Sequence, residues 1–483
     1  MSDFFYRFRS AEALLTKHQE LEKQEIYFSA HKELNDPMEG YKDIVWKGDR
    51  IVWTNLLKHY LLCLMQTVLA AYVCGPDCDL TEGDVHVLQT SDSLPTPFAR
   101  EIYDKICERF FLPEDFARLP ELLSGRRSPV RRDELIMYFR FTHLHALNTV
   151  LTVIEDHGIV IPRPAGDPLR SAARNSVTFK QLFDAQEASE AEHPERVDFV
   201  GLIGTSANRT SAQLDLINDY NGISLKAGLA WRTIISAFPE HYVNQLERLL
   251  YPDWYTACFV SEDGATNASM WGIYGDGHRG ACLKFKALSD ASGKPSISLR
   301  QINGLRGSTN HFELTYVEMP HPFHKIAYRT NFVEIDFFRS LGRLGRPALR
   351  YWFTDPAGNV SQGAEDLLAE KDSWRQQYWD NLDAAITTKL TDWKHEEESR
   401  LRLSSDLIDP AEPSHRKLHY RFEDLQGITF GIKMSRKDML DIMRIVEAKC
   451  RKEGRTVFEW YQAYYSPRSG KIEAHKLDLL KFA

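Results

Sequence analysis

The chain is short of cysteine and has no long hydrophobic run. Seven cysteines in 483 residues are too few, and an odd number, for a disulfide framework, so reduced thiols are expected. Cys74 and Cys78 form one C-x3-C pair, with no second pair near enough to complete a zinc site, and no metal is expected. The longest apolar stretch, Leu61 to Cys74, is interrupted by Gln66 and Thr67 and is too short to span a bilayer, so it reads as a buried helix. Phe4-Phe5 is followed at once by Arg7 and Arg9, without the apolar run or cleavage site of a signal peptide. These absences predict a cytoplasmic protein with no membrane partner. A net charge of −8 excludes the whole molecule as an electrostatic binder of nucleic acid. There is no Walker sequence, no G-x-G-x-x-G after a strand, no G-x-S-x-G elbow and no H-E-x-x-H. Nucleotide-hydrolysing, Rossmann, serine-hydrolase and zincin chemistry lose their usual signatures with them.

What is present suggests a mixed fold. Phe4 to Arg9 alternates aromatic and polar residues, which suits a strand. Ser10 can cap a helix with Leu14, Leu15, His18 and Leu21 on one face, and Glu25 to Ser29 reads as a second strand ended by the turn Asn35-Asp36-Pro37. From Thr54 to Glu155 the spacing is helical, with a break at Gly125 to Arg132. The polar stretch Asp184 to Glu195 reads as surface. Strands return at Trp254 to Val260 and Gly280 to Phe285, with a short helix near Ser269 to Tyr274 between them. An irregular, partly helical section follows, then a helix over Leu382 to His395 and strands at Ser399 to Leu403 and Gly427 to Lys433. A last helix opens on the capping box Ser435-x-x-Asp438. The pattern predicts an α+β domain split in sequence, residues 1–50 plus 250–483, around a mainly helical insertion, 51–249. Its core would be a split, mixed or antiparallel sheet.

Three clusters can carry chemistry. Lys389-x3-Trp393-x2-Glu396-Glu397-Glu398-Ser399-Arg400 puts three acids at a helix-to-strand junction, where a helix C-terminus prefers cations. On a strand Glu396 and Glu398 share a face, and such a pair can divide the work of stabilising a cation and activating a nucleophile. The alternative is a solvated acidic turn paired with Arg400 and Arg402. Tyr6-Arg7-Phe8-Arg9 with Tyr27-Phe28-Ser29 can grip a phosphate and stack on a ring, or can be a basic edge strand that resists aggregation. The segment Ser261 to Gly280 places Trp271 and His278 in a glycine-rich loop suited to a ligand, where His278 can be a base or a histidine bonded to the backbone. Arg339, Arg343, Arg346 and Arg350 at helical spacing, and Arg126, Arg127, Arg131 and Arg132 in one loop, can grip nucleic acid or form salt-bridged surface.

In order along the chain, these blocks resemble a bacterial and phage-associated family of unknown function. The resemblance rests on Tyr6-Arg7-Phe8-Arg9; Tyr27-Phe28-Ser29 with Asn35-Asp36-Pro37; Cys258-Phe259-Val260-Ser261-Glu262 with Met270-Trp271, Tyr274, His278 and Gly280; and Lys389, Trp393, Glu396, Glu398 and Arg400. It covers about a quarter of the chain and leaves residues 53–251 and much of 290–375 unexplained. The family's layout looks like the ADP-ribosyltransferase fold, a split sheet that binds NAD in a cleft. The resemblance implies that Tyr6, Arg7, Arg9, Tyr27, Ser29, Trp271 and His278 would hold NAD, which is the substrate. Glu398 would be catalytic and Glu396 its partner, although Glu397 leaves the register of the pair open. It further implies a toxin-like or anti-phage effector that passes ADP-ribose to a protein or nucleic-acid acceptor and answers to a sensor or antitoxin partner. Two other readings stand beside it: a metal-independent or RNA-directed nuclease-type defence effector using His278 with the acids, and a non-catalytic sensor or interaction module.

Overall fold

The computed structural model describes residues 4–75, 77–172, 181, 183–186, 188, 199–221, 228–291, 293–308, 311–364, 372–403 and 412–479. Most of the polar stretch 184–195 lies outside them. The fold is mixed α/β with mixed sheets. The chain divides into two compact units. One comprises Met1–Tyr41, Pro252–Val333 and Asp383–Ala483; the other comprises Lys42–Tyr251 and Glu334–Leu382. Sequence patterning groups 334–382 with the first unit. In the structure Glu334–Asp336 instead runs parallel to Asp43–Trp46 in a small sheet of the second unit.

The second unit is built around long helices, Arg50–Cys74 and Arg132–Asp156 among them. Asp49 caps the first by accepting from the amides of Ile51 and Val52. By length and composition this helix could cross a membrane, yet 67% of its apolar window is buried inside the protein, as expected of a core helix. Acids and carbonyls occupy most of the basic clusters. Arg126 ion-pairs with Glu134 at 3.1 Å, both buried, Arg131 with Asp43 at 2.6 Å, and Arg132 with Glu247 at 3.1 Å. Arg343 donates to the carbonyls of Arg248 and Tyr251. The expected arginine stripe is not one helix. Arg339 sits in the turn Phe338–Ser340, and a new helix starts at Arg346 with Pro347 in its first turn, where a missing N–H costs nothing.

The first unit holds two main sheets, whose strands are numbered in chain order: β1 Phe4–Arg9, β2 Glu25–Tyr27, β3 Ser29–Ala30, β4 Tyr255–Val260, β5 Ala281–Lys286, β6 Leu288–Ser289, β7 Pro295–Ser308, β8 His311–Pro322, β9 His324–Lys325, β10 Glu398–Leu403, β11 Lys417–Tyr420, β12 Leu425–Phe430, β13 Glu459–Ser466 and β14 Lys471–Lys476. The larger sheet runs β9-β10-β4-β1-β5-β12-β13-β14, with β3 also on β4. All its pairs are antiparallel except β12 with β13. The smaller runs β8-β7-β11-β2, with β6 on β7. Between them lies a core that includes Phe5, Phe28, Phe259, Phe285, Leu401 and Ile428, joined by Ile442 and Val446 of the helix Arg436–Glu453. The opposite face of the larger sheet buries Phe8, Val260, Trp271 and Cys282.

Several local expectations change. The helix after Ser10 is a π-helical turn, Ala13–Lys17, that breaks at Gln19 (φ 54°) before Glu20–Lys23. The strand expected over Glu25–Ser29 splits at the fully buried Phe28, where the chain passes from the smaller sheet to the larger. The section read as irregular contains the long hairpin β7–β8. The late helix ends at Thr387. Thr388–Leu390 then pairs in parallel with Ala327–Arg329, and a 3-10 turn spans Thr391–Glu396.

Candidate functional site

The site begins with a parting of strands. β1 and β4 share the registered pair Tyr6↔Val260. Beyond it β1 stays with β5 as far as Arg9↔Ala281, while β4 takes β3 as its neighbour through Ser29↔Thr256. The gap is a cleft of about 220 Å³. Seven of the nine residues singled out in the sequence line it: Tyr6, Arg7, Arg9, Tyr27, Ser29, Glu396 and Glu398. Trp271 and His278 do not. Trp271 is a core residue, packed edge-on against Phe8 at 4.9 Å, with its indole N–H on the Ala265 carbonyl. His278 is held in the left-handed region (φ 70°) by bonds at both ends of its peptide, its N–H to the Trp271 carbonyl and its carbonyl from the Lys433 amide. The glycines around them serve close packing: a Cβ on Gly280 would strike the Arg9 carbonyl.

Arg7 ties β1 to the end of β2 by donating through Nη2 to the Tyr27 carbonyl at 3.1 Å. Its guanidinium lies 5.4 Å from the centre of the Phe259 ring. Burial first, then the neighbouring Arg9, lower its pKa to about 10. Nη1 is buried without a hydrogen-bond partner. Arg9, by contrast, is neutralised by Glu20. A buried cation with an idle donor is costly unless something anionic meets it.

The other wall is acidic, and its three consecutive glutamates have different fates. Glu397 takes a left-handed conformation (φ 46°) and turns outward, where the Ser261 hydroxyl donates to it at 2.7 Å. That reversal lets the side chains of Glu396 and Glu398, both buried, converge on one ammonium: Lys389 Nζ lies 2.7 Å from Glu396 and 3.0 Å from Glu398. Two of the three acids are therefore buried rather than solvated, while Glu397 and most of the turn before it remain exposed. The Tyr274 hydroxyl donates to the other oxygen of Glu396 at 2.5 Å. Arg400, fully buried, spends all five donors: two on Glu398 (2.7 and 3.0 Å), two on Glu39 (2.6 and 2.8 Å) and one on the Ile386 carbonyl. Three carboxylates against two cations leave the cluster one negative charge. Burial works to raise the Glu398 carboxyl, but Arg400 and Lys389 more than offset it and hold it at about 2. Burial, then the Glu398 charge, pushes the Cys258 thiol of the same cleft well up, so it stays protonated.

Glu39, Lys389, Tyr274 and Arg400 complete the site; of these only Arg400 was assigned a role from sequence, as an ion-pair partner of the acids, and it does pair with Glu398. Three of them fall within the quoted motifs, and Glu39 lies two residues after Asn35-Asp36-Pro37. Arg402 is separate, paired with Asp383 nearer the surface. Among the described residues no group of three or more His, Cys, Asp and Glu converges as a metal site. No family model, curated protein or solved structure matches the chain.

Proposed function

We propose that the first unit is an ADP-ribosyltransferase-like domain that cleaves NAD at the nicotinamide–ribose bond and hands ADP-ribose to a macromolecular acceptor. The observation that carries this is the cleft between β1 and β4, which is lined both by a buried arginine with an idle donor and by a pair of buried glutamates. The electrostatics suit the reaction. Nicotinamide leaves with the bonding electron pair, so its ring loses positive charge and the ribose gains it. A carboxylate held ionised in a water-poor cleft stabilises that ribosyl cation without reorganising. Glu398 meets the requirement at any physiological pH. Its Oε1 accepts one bond from Arg400, leaving a lone pair for a ribose hydroxyl with only the weak Cys258 thiol in competition. Glu396 keeps free lone pairs beyond those used by Lys389 and Tyr274 and can orient the acceptor. Arg7 supplies the anion contact for the diphosphate. The volume is below the ~300–1,000 Å³ usual for complete ligand clefts, so the enclosed part is the reacting half of the dinucleotide. Resemblance to a phage-associated family extends the reading to a toxin-like or defence role.

Incubating the full chain with NAD should release nicotinamide, and Glu398→Gln should abolish release, with amide exchange in Glu398–Leu403 separating lost chemistry from the local destabilisation that removing a buried charge brings. A wild-type protein that neither binds nor cleaves NAD overturns the reading. A second reading, a module that binds without turnover, draws on the density of bonds already made to Glu398; NAD bound but unaltered would favour it.

A further inference from the structure

A second cavity, about 210 Å³, lies against the same face of the larger sheet as Glu398. Tyr6 lines both spaces, and its backbone register with Val260, and through Val260 with Glu398, places the new cavity two strands from the acidic cluster, roughly 10 Å at ordinary strand spacing. The floor is Cys282 and Lys284 of β5. Tyr6 and Tyr461 flank it, the buried Trp271 backs it, and Glu262, Ala265 and Thr266 border it from the turn after β4. The Ile472 amide of β14 donates to the Thr266 carbonyl at 3.1 Å and ties that turn down.

Its charge is one-sided. Lys284 is already neutralised by Glu459 at 2.9 Å, and its ammonium lies 5.8 Å from the centre of the Tyr461 ring, which leaves Tyr6 as the open ring. Glu473 also borders the space, as does the exposed Glu262, which makes no ion pair or hydrogen bond among the described residues. After burial, the Glu262 charge is the next cause raising the Tyr6 pKa; for Tyr461 burial and then Glu459 lead, with Glu262 a smaller contribution. An aromatic face beside an unpaired carboxylate selects an organic cation over an anion or a neutral group, because ring quadrupole and carboxylate attract the same sign.

We infer that this cavity is a recognition site for a guanidinium or ammonium group, such as an arginine side chain of a protein partner presented beside the cleft. The inference concerns binding and does not depend on what the cleft turns over. Titration calorimetry on the full chain without NAD would use acetyl-arginine-amide, acetyl-glutamine-amide and spermidine. The arginine derivative should bind, the neutral analogue at least about tenfold more weakly, and added salt should weaken the binding. Glu262→Gln should reduce affinity by about tenfold, and Glu262→Lys should abolish it; Glu262 is exposed, so both variants should fold. Tighter binding of spermidine would identify a free polyamine as the source of the cation. Equal binding of the neutral analogue, unchanged affinity in Glu262→Lys, or no binding of either cation would overturn the inference.

Discussion

Replacing Arg400 with glutamine removes the hub of the acidic cluster. Glu39 loses both of its arginine bonds, Glu398 loses two, and the Ile386 carbonyl loses one. Lys389 alone then faces three buried carboxylates. Removing one partner of a buried ion pair typically costs about 3–5 kcal/mol, mostly from the charge left behind. The neighbouring Arg402 provides a control on the same strand. Its partner Asp383 is about half exposed, so Arg402→Gln should cost about 1 kcal/mol or less. Because the chain has two compact units, amide hydrogen exchange in Glu398–Leu403 is a better readout than a global probe. The pH dependence gives a second test. Glu398 has a folded pKa of about 2, below its ordinary 4.5, so its contribution is complete above 4.5 and fades as pH falls toward 2. Without Arg400 the burial effect is less opposed and the folded pKa rises toward 4.5, so the acid loss of protection still begins near 4.5 but is smaller and ends at a higher pH. A cost near that of Arg402→Gln, with the acid limb unmoved, would refute the assignment of Arg400 as the hub.

Other outcomes follow from single contacts. In the second unit, burial pushes His59 and His143 down to about 4, so both stay neutral while the unfolded chain protonates near 6.5. Stability should be complete above 6.5 and fall between 6.5 and 4 by about 3 kcal/mol for each histidine; exchange protection in Arg50–Cys74 measured against pH checks this. Gly264→Ala would place a Cβ 3.0 Å from the Glu396 carbonyl and 2.9 Å from Val260 Cβ. It should cost about 1–3 kcal/mol by overpacking and lower nicotinamide release by displacing Glu396, read as a fall in kcat and in urea midpoint. Arg7→Leu should weaken NAD binding more than it slows turnover, visible as a raised KM with kcat little changed.

The sequence was informative where one local rule governed. β1 carries its alternation openly, and the Ser435 cap forms as the spacing implies, with the Asp438 amide on the Ser435 hydroxyl at 3.1 Å. The acidic pair was visible, but its register depended on the left-handed Glu397, which residue identity does not announce. The partners Glu39 and Arg400 stand 361 residues apart, beyond any periodicity. The hairpin β7–β8 escaped notice because Gly304, Gly307 and polar residues interrupt its apolar alternation. Trp271 and His278 were misplaced because a glycine-rich loop suits tight packing as well as a ligand. β13 was readable in principle, since Glu459–Ser466 is rich in aromatics.

The central position of β1 has a consequence for synthesis. Both strands that flank it, β4 and β5, come more than 240 residues later in the chain. At about 5–20 residues per second a ribosome needs roughly 12–50 s to reach β4. Until then Phe-Phe-Tyr-Arg-Phe-Arg is an unpartnered aromatic ribbon of the kind that recruits other chains. The charges of Arg7 and Arg9 then act as gatekeepers, keeping the nascent segment soluble before either takes its place beside the cleft.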